Sequence, residues 1–151
     1  IELKVQDRAY YSPSKDRIVL PAPGQFKDME SFQMTALHEM AYSTGHSSRL
    51  DRGLHHPFGT CGYAREEIIA EFTAAVTGRD LGIAVTPRKE NAQKEDPGYV
   101  MSVLREAGKA SAMIEESVEK QHTLADTSAR EEDISPLPIK EYNESAIHNT
   151  L

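Results

Sequence analysis

Three stretches of helical apolar periodicity, each bounded by glycine or proline, leave this chain little freedom in how it can fold. The first is expected to start near Asp28, a good N-cap residue, and to carry Phe32, Ala36, Leu37 and Met40 to about Thr44. Gly45 then stands where a C′ glycine belongs. The second covers roughly 63–81, with Ile68, Ile69, Phe72, Ala75, Val76 and Leu81 as its buried stripe and Gly82 closing it. The third opens at Asp96-Pro97, a cap followed by proline at the first helical position. Val100, Val103, Leu104, Ala107, Ser111, Ile114 and Val118 form one face of it. Ahead of the helices, residues 8–21 read as a hairpin: Tyr10-Tyr11, a turn over Ser12-Pro13-Ser14-Lys15-Asp16, then Ile18-Val19-Leu20, ended by Pro21, Pro23 and Gly24. Residues 46–62 read as loop and 84–95 as a polar connection. After about Ala125 the sequence turns polar and acidic, with Pro136 and Pro138. The folded domain is therefore expected over 1–125, with a poorly ordered tail over 126–151.

Composition narrows the function classes. The chain has 151 residues, enough to bury one core. Acids outnumber bases 24 to 17, for a net charge of −7, which argues against gripping nucleic acid through its own field. The lone Cys61 excludes an internal disulfide framework and suits a reducing cytoplasm. No apolar run approaches a membrane span and no signal peptide is read. The chain begins at Ile1 without Met, which points to sequence removed upstream.

The chemistry is concentrated in Leu37-His38-Glu39-Met40-Ala41-Tyr42-Ser43-Thr44-Gly45-His46. This segment has the frame of a zinc-peptidase helix, H-E-x-x-H, except that Tyr42 stands in the second histidine's place. The frame works because residues four apart share a helix face, so two imidazoles can hold one metal while the glutamate polarises a bound water. On the second predicted helix Glu67 and Glu71 also lie four apart. The flanking residues carry a wider resemblance: Ala9-Tyr10-Tyr11-Ser12-Pro13, Asp16-Arg17-Ile18-Val19-Leu20-Pro21, Phe26, Thr44-Gly45-His46, Ser48-Arg49-Leu50, Phe58-Gly59, Tyr63-Ala64-Arg65-Glu66-Glu67, Ala70-Glu71, Leu81-Gly82-Ile83 and Tyr99-Val100. In order and spacing, over about residues 8–125, they resemble the metallopeptidase domain of ArdC-type antirestriction proteins, a polyvalent-protein zincin family also found in plasmid primases.

The resemblance implies an α+β zincin-like fold, a small antiparallel or mixed sheet packed on an active-site helix with two further helices. It implies a cytoplasmic hydrolase carried by a mobile genetic element such as a plasmid. Zinc would be held by both histidines of H-E-x-x-H and a downstream glutamate. Residue by residue, His38 carries over as first metal ligand, Glu39 as catalytic base and Glu67 as third ligand, with Glu66 as fallback and Glu71 bracing His38. In the family a preceding domain binds single-stranded DNA. That domain is not in these residues, so DNA contact is expected only through it, and the direct partner is a protein or peptide.

Tyr42 puts the zinc in doubt. A phenol with an ordinary pKa of about 10 is a poor zinc ligand at neutral pH and is longer than imidazole. His46 is a fallback ligand. An unbroken helix would carry it about 12 Å past His38, too far to share a metal, whereas a break at Gly45 could turn it back. Two functions follow: a zinc-dependent peptidase impaired at Tyr42, or an inactive zincin scaffold that binds a protein partner or assists DNA transfer.

Overall fold

A computed structural model describes residues 1–83 and 97–132. Three short strands, β1 (Glu2–Lys4), β2 (Tyr10–Ser12) and β3 (Arg17–Pro21), precede three helices, α1 (Met29–Thr44), α2 (Cys61–Asp80) and α3 (Pro97–Glu132), an α+β arrangement. The predicted hairpin is present: β2 pairs antiparallel with β3, Tyr11 opposite Ile18. Its turn is a 3₁₀ segment, Pro13–Lys15, closed by Asp16 at φ 43°, a left-handed conformation that aspartate tolerates better than most residues. β1 was not read from the sequence. It lies parallel to β3, Glu2 opposite Val19, giving a mixed sheet in the order β1-β3-β2. Ile1, Leu3 and Val5 alternate with polar residues but stay exposed, and the strand is held by an Arg17–Glu2 ion pair of 2.7 Å and by the Ala22 amide donating to the Lys4 carbonyl at 3.0 Å. The central strand buries Ile18, Val19, Leu20 and Pro21 in succession, the pattern of a strand covered on both faces.

Asp28 caps α1 as expected, its Oδ1 accepting from the Ser31 amide at 2.7 Å. Gly45 ends the helix for another reason than the one anticipated. Its φ is −78°, so no left-handed turn is made. Glycine is needed for space, because a Cβ there would lie 2.7 Å from Leu54 Cδ2 and 2.9 Å from Arg52 Nη2. Arg52 fills that corner. Its guanidinium donates to Thr44 Oγ1 at 2.8 Å, to the Ala41 carbonyl at 3.0 Å and to Glu66 Oε2 at 3.0 Å, and both side chains of the pair are 4% exposed.

α2 starts at Cys61 behind a Thr60 cap, two positions before its expected start. Its inward face differs from the predicted stripe. Glu66, Ile69, Ala70, Thr73, Ala74, Thr77 and Gly78 are buried, while Phe72 and Leu81 are exposed. Small residues line this face because α1 and α3 both come close. Leu37, Ala41, Ala70, Ala74 and Ile114 form the core. Thr73 Oγ1 donates to the Ala107 carbonyl at 3.4 Å, and Thr77 Oγ meets Ser111 Oγ at 2.8 Å. In α3 Val103, Ala107, Ser111 and Ile114 point inward as predicted, joined by Ala110, whereas Leu104 is exposed.

Residues 1–118 form one compact unit and a second begins at Glu119. The helix continues to Glu132, past the end expected near Ala125. The connection 84–95, the Asp96 cap and the tail beyond 132 lie outside the described residues.

The Arg52–Glu66 pair gives a clear stability test. Arg52→Ala leaves a buried carboxylate without its partner, so urea denaturation is expected to show a loss of about 3–5 kcal/mol. A loss below about 1 kcal/mol would contradict the pairing.

Candidate functional site

The helical repeat of α1 sets His38 and Tyr42 on one face, their rings edge to face with centroids 5.4 Å apart. The repeat of α2 sets Tyr63, Glu67 and Glu71 opposite them. The Tyr42 hydroxyl donates to Glu67 Oε1 at 2.6 Å. His38 Nε2 stands 3.8 Å from Glu67 Oε2, and His38 Nδ1 stands 3.6 Å from Glu71 Oε1. These are ion-pair separations, longer than hydrogen bonds. Tyr63 shares the same carboxylate, and its hydrogen bond to Glu67 raises its phenol above the ordinary range.

Glu39 points toward the sheet. Burial pushes its carboxyl up to about 7, opposed by a hydrogen bond from the Tyr11 backbone amide and reinforced by the charge of Glu67. Tyr11 belongs to β2, one of the two edge strands. Its hydroxyl donates to Asp16 Oδ1 at 2.7 Å, and burial together with that bond pushes the phenol to about 12. Arg49 grips the same Asp16, with Nη1 to Oδ2 at 3.0 Å, and donates to the Ser43 carbonyl at 2.7 Å. The hairpin turn is thereby tied to the end of α1, which keeps the edge strand beside Glu39.

Of the residues singled out in the sequence, His38, Tyr42, Glu67 and Glu71 converge and Glu39 lies against β2. Glu66 is elsewhere, buried against Arg52. His46 is engaged locally: its Nδ1 lies 2.8 Å from Ser48 Oγ and accepts from the Ser48 amide at 3.2 Å. Tyr63 had been given no role. The available signal was its position four residues before Glu67, on the same helix face.

The donor set does not fit a zinc ion. Zinc at such a site takes three protein ligands with deprotonated donor atoms. Here His38 and Glu67 qualify, but one Glu67 oxygen is occupied in accepting the hydrogen bond from the Tyr42 hydroxyl. Burial and the Glu67 bond push the Tyr42 phenol above its usual range, so it remains a neutral donor. Among the described residues no group of three or more His, Cys, Asp or Glu is placed to hold a metal.

A small sheet whose edge strand lies beside a His-Glu helix, with glutamates facing that helix from the next, is the arrangement of a zincin. Residues 1–118 match the zincin-like metallopeptidase family, and the chain belongs to it. Two Escherichia coli proteins named DNA primase TraC are similar in sequence. One is 53% identical over 81 residues, covering 54% of this chain and 6% of the relative. The other is 42% identical over 123 residues, covering 76% of this chain and 12% of the relative. Crystal structures of the antirestriction protein ArdC from plasmid R388 share the fold at 30% identity. The metal-free form has a TM-score of 0.66 over 79% of this chain, and the Mn(II)-bound form 0.67 over 76%, each match spanning 46% of ArdC. This chain thus spans less than half the length of each of these proteins.

The buried Glu39 makes stability depend on pH. Its folded pKa of about 7 lies above the ordinary 4.5, so the native state holds the extra proton between those values. That contribution is full below about pH 4.5 and is lost as pH rises through about 7. Glu39→Gln, measured with EDTA present, is expected to flatten this slope and to be more stable than the parent at pH 8 by about 2 kcal/mol. Parallel stability–pH curves for the two proteins would refute the assignment.

Proposed function

We propose that this domain is the metallopeptidase-type module of a mobile-element protein of the antirestriction kind, and that in this sequence the module binds a protein partner without cutting it. The observation that carries this reading is the 2.6 Å hydrogen bond from Tyr42 to Glu67, at the position where the family pattern has a histidine ligand. His38 and Glu67 are the metal-ligand positions, Glu39 the base position and Glu71 the residue that orients His38. The base position is intact, since Glu39 holds a proton with a pKa near 7 beside an edge strand that a peptide could extend. What fails is the donor set for zinc.

A net charge of −7 favours a protein partner over DNA. Contact with single-stranded DNA, as part of a plasmid-transfer function, would belong to a preceding domain. The single, exposed Cys61 is consistent with a cytoplasmic site of action, and no helix among the described residues is long and apolar enough to cross a membrane.

Metal analysis of protein purified without chelator tests this reading. Zinc and manganese are expected well below one equivalent, with no EDTA-sensitive hydrolysis of a casein substrate. Tyr42→His is expected to raise zinc occupancy toward one equivalent, and adding Glu67→Gln to remove it again. Stoichiometric metal with EDTA-sensitive hydrolysis in the parent would establish the peptidase reading instead.

A further inference from the structure

The α1–α2 contact has an unusual composition. Its apolar part is rich in alanine, with Ala41, Ala70 and Ala74 clustered beside Leu37. Polar cross-links stand beside it. The Arg52–Glu66 pair joins the end of α1 to α2. Glu67, the next residue, points about 100° further around the helix and meets Tyr42. Its carboxylate also takes Tyr63 and lies within ion-pair range of His38, which lies in turn against Glu71. One carboxylate is thus shared by two tyrosines and a histidine from both helices.

We infer that the hydrogen bond from Tyr42 of α1 to Glu67 of α2 supplies here the cross-link between the two helices that coordination of one metal would supply, so that the domain reaches full stability without a metal ion. The inference rests on the reading above that residue 42 is a ligand position, and adds to it a structural role for the replacement. Metal and bridge exclude each other. A cation between His38 and Glu67 would have to displace the Tyr42 hydroxyl from its hydrogen bond to Glu67 and move the Tyr42 ring from the same volume. Added metal would therefore break one cross-link to make another, where an intact donor set would gain one outright.

Thermal unfolding of the purified chain reads this directly. The parent's Tm is expected to be the same in EDTA, in Mn(II) and in Zn(II). Tyr42→Phe keeps the ring and removes the donor, and is expected to lower Tm by about 5 °C in all three. Tyr42→His is expected to show a similar drop in EDTA that Zn(II) reverses. If Tyr42→Phe does not fold, Glu67→Gln carries the same test: it keeps shape and an acceptor oxygen while removing the charge, and a drop of a few degrees is expected. A parent Tm that rises several degrees with either metal, or a Tyr42→Phe Tm equal to the parent's, overturns the inference. An unchanged Tyr42→Phe Tm in a parent that binds no metal would sink the bridge and leave the functional reading standing. Stoichiometric metal with hydrolysis would sink the functional reading itself.

Discussion

Arg52 holds the end of α1 against α2, and the placing of every site residue depends on that. Its guanidinium takes the Ala41 carbonyl, which has no backbone amide partner in the last turn, and the Thr44 hydroxyl, which itself donates to that carbonyl at 2.6 Å, and it neutralises Glu66 within the same buried corner. The corner exists because Gly45 carries no side chain. Once the two helices are fixed there, their repeats carry His38 and Tyr42 to one side of the seam and Tyr63, Glu67 and Glu71 to the other. Arg49 performs the matching task for the sheet, joining Asp16 of the hairpin turn to the Ser43 carbonyl. Two arginines in one loop therefore set the relation among strand, helix and helix on which the geometry around Glu39 rests.

Within that frame the site has the outline of a hydrolytic centre and the contents of a packed polar cluster. On the reading proposed above, Tyr42 stands where the family pattern has a histidine. Its hydroxyl donates to the neighbouring carboxylate, and burial together with that bond keeps the phenol protonated. Glu39 lies buried beside Tyr11 of β2, and the charge of Glu67, the acceptor of the Tyr42 hydrogen bond, adds to the rise of its pKa.

Local signals made much of this legible. Asp28, Pro97 and the hairpin turn residues placed α1, the start of α3 and the β2–β3 pair, because caps and turns are decided by a few adjacent residues. The inward face of α2 departs from its apolar stripe for a physical reason. The stripe points to the largest apolar residues as core, yet close approach to α1 and α3 selects alanine, glycine and hydroxyl side chains that bond across the seam, as Thr77 does to Ser111. The segment of β1 carries a period-two alternation of Ile1, Leu3 and Val5 with polar residues, yet those apolar side chains are exposed and its place comes from pairing with β3 and from the Glu2–Arg17 ion pair. In the site, fixed helical spacing brought out His38, Tyr42, Glu67 and Glu71. Glu66 could not be separated from Glu67 by sequence, since the distinction depends on where Arg52 arrives from the loop. Tyr63 was overlooked because a tyrosine at a helix start suggests packing before it suggests a carboxylate partner.

Glu66 and Glu67 are neighbours in the chain and strangers in the fold. One is sealed in the corner that holds the helices together, and the other faces the site. The residues that decide whether this domain folds and those that decide what it does are thus interleaved in sequence but separated by the turn of a helix. A substitution at one of these two neighbouring positions is therefore felt in a different part of the molecule from a substitution at the other.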